Sequence, residues 1–251
     1  MRTLVFGAWI GILALAQQVD TSARGEVIIA SAESLLEKGE RSRARVLLEE
    51  QIRRLEPTAG TNLAATRELS NLALFLIMRV DPKSATGLSL LRKQTRQLIE
   101  TDPPPYQLEG SEGAGKDVSP EFEQWSRTMG EAIPEEALQR IVRATINMNV
   151  LGIAGDRDSI PIFVKGLESR QVLVVVGAIS ALARLGARSH IDKMLRAAER
   201  LSSNQANVYA LEDALLDSPD PGFRASTRRF FRTDERFNDA VKRHAGSPSI
   251  K

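Results

Sequence analysis

The sequence predicts an all-α protein built as an α-solenoid of antiparallel helix pairs. Three observations carry this. First, the chain is 42% hydrophobic but only 5% aromatic, with Leu, Ala, Arg and Glu prominent, a composition that suits helices. Second, apolar residues recur at helical spacing between Gly- and Pro-bearing turns along most of its length. Third, residues 142–186 contain one pattern twice: Ala144, Met148, Leu151 and Gly152 return as Ala178, Leu182, Leu185 and Gly186. The offset is 178 − 144 = 34 at all four positions. A period in the range of about 20–50 residues marks units that bury their apolar faces on one another.

Taken in order, residues 1–16 read MRTLVFGAWIGILALA, with Arg2 as a short positive region and Leu4 to Leu13 as an uncharged apolar run. Ala14-Leu15-Ala16 is an A-x-A cleavage site, so the segment reads as a signal peptide. The alternative is an uncleaved anchor, but the run falls short of the roughly 20 residues that span a bilayer. The chain has no cysteine, which excludes disulfides, thiolate catalysis and cysteine-ligated zinc.

Residues 25–102 predict a first helical domain. Ile28, Ala32, Leu35 and Leu36 form one face, Lys38-Gly39-Glu40 a turn, and Ala44, Leu47, Leu48, Ile52 and Leu55 a second face that Pro57 ends. Ala64 to Val80 predicts a deeply buried helix, because LALFLIM is apolar nearly all round. Asp81-Pro82 turns the chain into an amphipathic helix from Lys83 to Glu100. Residues 103–118, PPPYQLEGSEGAGKDV, predict a linker.

Residues 119–245 predict the second domain. Ser119 and Pro120 start a helix whose face carries Phe122, Trp125 and Met129, and Pro134 opens the next. Within the repeat, Gly152 and Gly186 follow the last apolar residue, where a left-handed cap favours glycine. Asp158 or Ser159 is the expected cap of the following helix, with Pro161 in its first turn. Helices are then expected over 190–200, 205–216, 222–232 and 234–245, with a break at Asp217 to Pro221 and a disordered tail, 246–251.

The arrangement of helix, Leu-Gly stop, Asp-bearing turn and Ile-Pro start over 153–186 resembles the HEAT-like repeat family in its short bacterial form. Gly39, Ala44, Leu48 and Pro57, with Ala32 before them, resemble a degenerate tetratricopeptide repeat without its aromatic residues. Such repeats imply a binding scaffold whose second helices line a concave surface. The residues that lie off the apolar stripe on those helices, Arg140, Arg143, Asn147, Ser180 and Arg184, are therefore the expected partner contacts. Arg184 is expected on an exposed face and Ala178 in a packed seam.

Other motifs carry less. Gly110 to Asp117, GSEGAGKD, matches a phosphate loop until Asp117 stands where a hydroxyl should coordinate magnesium. His190 and His244, the two histidines, sit in charged helical stretches outside any metal-binding spacing. Asp156 and Asp158 lack the following Gly and Glu of a calcium loop. Arg224, Arg228, Arg229, Arg232 and Arg236, interleaved with Phe223, Phe230, Phe231 and Phe237, could meet an anion, but read more simply as a solvated edge on a capping helix. The net charge of +2 gives no reason to expect nucleic acid.

The expectation is thus an exported, non-enzymatic scaffold that binds a protein or peptide partner in the cell envelope, without cofactor or metal. A membrane-anchored assembly factor keeps that role and retains residues 1–16. An enzyme of the bilin lyase kind, which also uses HEAT-like repeats, is the other-class alternative, and the signal segment argues against it.

Overall fold

Glycines and prolines punctuate the helices much as their spacing predicts. The structure, a computed structural model, describes residues 23–59, 63–101, 134–202 and 205–246, and every regular element among them is helical. The chain forms two units, residues 1–94 and 95–251. The segments 1–16, 103–118 and 119–129, on which the signal peptide, linker and aromatic helix face fall, lie outside the described residues, as does the tail beyond Gly246.

In the first unit, α1 (Ala23–Glu37) and α2 (Arg41–Ala59) meet at Gly39. Its φ of 75° is the left-handed conformation glycine adopts without penalty. The Glu40 N–H donates to the Leu35 carbonyl and the Gly39 N–H to that of Leu36, the paired bonds of a Schellman cap. Ile28, Ala32, Ala44, Leu48 and Ile52 are buried, as the periodicity requires. Pro57 does not end α2, which continues to Ala59. A proline so near a C-terminus forfeits one intrahelical bond and leaves little helix beyond it to disturb.

α3 (Leu63–Phe75) passes into a π turn, Leu76–Val80, closed by the Asp81 N–H on the Leu76 carbonyl at 2.7 Å. The wide turn faces Leu76, Ile77 and Val80 inward but leaves Met78 41% exposed, so the apolar run is not buried all round. α4 (Ala85–Glu100) follows. The Arg41 guanidinium donates to the Val80 carbonyl at 2.8 Å, and the Ser84 hydroxyl to Glu49 at 2.8 Å, tying α2 to the segment between α3 and α4. The boundary between units falls inside α4, after Gln94, ahead of the expected linker.

The second unit contains the last turns of α4, then α5 (Pro134–Ile153), α6 (Ile160–Gly166), α7 (Val172–Arg184), α8 (Ile191–Arg200), α9 (Gln205–Leu216), α10 (Pro221–Thr227) and α11 (Asp234–Gly246). Its caps recur at a spacing that differs from the sequence match. Gly155 (φ 69°) and Gly186 (φ 60°) are the left-handed caps. Both make Schellman bonds: Asp156 N–H to Leu151 and Gly155 N–H to Gly152 in one, Ala187 N–H to Leu182 and Gly186 N–H to Ala183 in the other. A short 3-10 turn then begins at Arg157 and at Arg188, and a helix at Ile160 and at Ile191. All three pairs differ by 31 residues (186 − 155, 188 − 157, 191 − 160).

Gly152 is therefore not a cap. It lies inside α5, where its missing side chain lets α7 approach: a Cβ there would stand 2.8 Å from the Ala181 Cα. Gly177 does the converse, its backbone lying on Thr145. The two contacts advance in the same direction along both helices, so α5 and α7 run side by side and parallel. Ala178 is fully buried over Gly166 of α6, as its seam position requires. The Ser159 hydroxyl donates to Asp156 instead of capping α6, and Asp158 is exposed.

Candidate functional site

The five expected contact residues do not share one solvated face. Arg140 is half-buried and donates to the Thr101 hydroxyl at 3.1 Å, and Arg143 is half-buried beside it. Asn147 is 0% exposed, and neither its amide nitrogen nor its oxygen has a hydrogen-bond partner. Ser180 is 1% exposed, and its hydroxyl donates to Asp217. Arg184 is half-buried, with Nη2 3.1 Å from the Asp217 carboxylate and Nε 3.3 Å from the Ser180 hydroxyl. The exposure expected of Asn147 and Ser180 is thus corrected. The cause is packing on more than one side of each helix, which an apolar stripe does not reveal. α7 has no exposed residue at all; only Val172, Leu173 and Arg184 are even half-buried.

Asp217, which the sequence marks only as a helix break, gathers these groups. It accepts from Ser180 and Arg184, and His244 Nε2 of α11 lies 3.7 Å from its other oxygen. The trio has the composition of a catalytic triad but not its order. The carboxylate stands between serine and histidine, so no imidazole faces the hydroxyl, and the hydroxyl is buried. The arrangement is a clamp joining the ends of α7, α9 and α11.

A second polar centre lies one turn earlier on α9. Glu212 is 1% exposed and takes Arg236 at 2.5 Å and Arg243 at 2.9 Å. Arg243 also reaches Asp213 at 3.3 Å and covers the Tyr209 ring at 4.9 Å. Burial raises the Asp213 carboxyl above its usual range, more than the adjacent Arg243 lowers it. Glu212 and Asp213 were legible only as two carboxylates among Leu211, Ala214 and Leu215 on an otherwise apolar helix.

The Arg/Phe stretch resolves into a plug and a rim. Phe231 is fully buried with Leu216 and Ala240, and packs edge-on against Phe230 and Phe237 at 5.8 and 5.1 Å. This fixes the 3-10 turn Arg228–Phe231 and the residues beside it. Arg229, Phe230, Arg232 and Arg236 then line a cleft of about 290 Å³ opposite Glu199, Ser202 and Val208. Arg228 is paired with Asp234, and Arg229 with Asp192.

Among the described residues, no group of three or more His, Asp or Glu side chains could hold a metal ion, and no helix is long and apolar enough to cross a membrane. The GSEGAGKD motif lies outside them. No family model matches the chain, and comparison with curated proteins and with solved structures finds no match.

Proposed function

We propose that this chain is an exported helical-repeat scaffold or adaptor that binds a protein or peptide partner of the cell envelope and performs no catalysis. Its second unit is read as an α-solenoid of antiparallel helix pairs; HEAT-like membership there, and tetratricopeptide-like membership of the first unit, belong to the same reading. The observation that carries it is the 31-residue recurrence of cap, 3-10 turn and helix start, with α5 and α7 packed parallel. Units that bury their faces on neighbours need that recurrence. Arginines support it by bridging successive turns: Arg157 donates to the Leu185 carbonyl, and Arg200 to those of Leu167 and Ser169.

Because α7 is enclosed except at its ends, the partner surface is placed on Arg140, Arg143 and Arg184, the last residue of α7, and Asn147 and Ser180 are given a packing role. The test is affinity capture from an envelope extract, with Arg143→Glu as comparison. A partner retained by the wild type and lost by the variant supports the scaffold; turnover of a hydrolase, transferase or lyase substrate, abolished by one substitution, overturns it. The second reading, a membrane-anchored assembly factor, is favoured by the apolar run from Leu4 to Leu13. N-terminal sequencing of protein from its native cell separates the two: Met1 on a membrane fraction means an anchor.

A further inference from the structure

The cleft between the start of α11 and the end of α8 carries two charges of opposite sign that no described residue neutralises. Of its three arginines, Arg229 is matched by Asp192 and Arg236 by the buried Glu212. Arg232 makes no hydrogen bond or ion pair with any described residue, and neither does the side chain of Glu199. The two also do not pair with each other, although both line the same space. The same cleft is lined by the apolar Phe230 and Val208 and by Ser202.

Arg232 is, moreover, the one described non-glycine residue with positive φ, at φ 63° and ψ −39°. A side chain there is held against its backbone preference. Thr233 and the buried Phe231 fix this kink from either side, since the Thr233 N–H donates to the Phe231 carbonyl at 2.7 Å. A strained residue that makes no bond of its own contributes nothing to the fold that glycine would not do better.

We propose that this cleft binds a zwitterion with an apolar side chain: a free apolar α-amino acid or a short peptide, its carboxylate on Arg232, its ammonium on Glu199 and its side chain against Phe230 and Val208. A plain anion would meet Glu199 as a like charge, and a plain cation would meet Arg232; a ligand carrying both matches both. Guanidinium and carboxylate form charge-assisted bonds about twice as strong as neutral ones. A volume near 290 Å³ suits one large amino acid or a dipeptide. The site is independent of the scaffold reading, because it requires no repeat and no macromolecular partner.

The experiment titrates the full chain with L-phenylalanine, followed by NMR amide shifts, up to about 10 mM, where binding of millimolar strength saturates. N-acetylphenylalanine, which lacks the ammonium, and phenethylamine, which lacks the carboxylate, are expected to bind at least about tenfold more weakly. The dipeptide Phe-Leu identifies the source: tighter binding than phenylalanine points to peptides, weaker binding to free amino acids. Arg232→Gly removes the guanidinium and the strain together, so it is expected to abolish binding while raising the melting temperature, which shows that the fold is intact. Glu199→Gln, on the exposed rim, is expected to abolish discrimination against N-acetylphenylalanine. No saturable binding of phenylalanine or Phe-Leu, equal binding of N-acetylphenylalanine, or undiminished binding by Arg232→Gly would each overturn the proposal.

Discussion

The second unit contains two interhelical seams made by opposite means. Between α5 and α7, contact is apolar and close, with Gly152 on Ala181 and Gly177 on Thr145 bringing backbone against backbone. Between α9 and α11, ionic contact is added to the Leu216–Phe231–Ala240 cluster, with Glu212 buried between Arg236 and Arg243, and Asp217, just past α9, between Arg184 of α7 and His244. The first seam depends on the absence of side chains and gains from dispersion at short range. The second depends on complete pairing, since a buried charge without partners is costly. The same unit should therefore respond to added volume in one place and to lost charge in the other.

The sharpest way to break the contrast is Gly152→Val. The first added carbon already stands 2.8 Å from a backbone atom of Ala181, so a helix must move, at a cost of about 3 kcal/mol or more. Gly186→Val meets nothing within 4 Å and suffers only from its left-handed φ of 60°. Thermal or denaturant unfolding should rank Gly152→Val well below Gly186→Val. The reverse order would mean that Gly152 is the cap and that the 34-residue register holds after all.

The ionic seam is tested by Glu212→Ala, which leaves Arg236 and Arg243 facing an uncharged hole. The expected loss is about 3 kcal/mol, the low end for a broken buried pair, because both guanidiniums keep partial access to water. Unchanged unfolding of this variant would show that the seam is held by Phe231 and its neighbours alone.

Asn147 is an exception within the buried part of α5, an amide with no partner. Asn147→Leu keeps the number and branching of heavy atoms and removes an unmet desolvation cost, so it should stabilise by about 1 kcal/mol despite its bulkier methyl groups. A destabilised variant would mean that a water or ligand satisfies the amide.

These effects also mark how far the sequence was legible. Among the described residues, helix existence was legible where the apolar stripe was long and a proline or glycine stood at its edge, as at Pro134, Gly39 and Asp81-Pro82. Register was not, because Leu151-Gly152 and Leu185-Gly186 are identical dipeptides in different roles. One glycine permits a close approach and the other a left-handed turn, and a single sequence does not separate those two uses. Asn147 and Ser180, off the apolar stripe, read as outward, but their helices are covered on more than one side and the protein buries both. Glu212 was missed for another reason: its burial depends on α11, which arrives from 24 and 31 residues away. The Arg232 cleft was visible as a basic aromatic stretch, but pairing decides which arginine is available, and pairing is a property of the fold.

On an exposed face, as the sequence suggests, Arg184→Glu would leave stability nearly unchanged. Its ion pair with Asp217, in a half-buried place, changes that expectation to a loss of about 1 kcal/mol, since a like charge would then face the carboxylate. A melting temperature equal to wild type would show that Ser180 and His244 suffice to hold Asp217.

The smallest expected effect concerns Asp213, at the edge of the ionic seam. Burial raises its carboxyl above the usual 3.8, against the pull of Arg243. A carboxyl raised on folding binds its proton more firmly in the native state. Its contribution is therefore fully present below the unfolded value and is lost as pH rises through the native one. Asp213→Asn keeps the shape and does not titrate. The stability of the variant relative to wild type should therefore climb as pH rises from about 3.8 through the raised value, then level off. Taking the difference between two proteins cancels the titration of every other carboxylate they share. A difference that falls over that window would mean that attraction to Arg243 outweighs burial, and that Asp213 belongs with Glu212 among the groups that hold α11 in place.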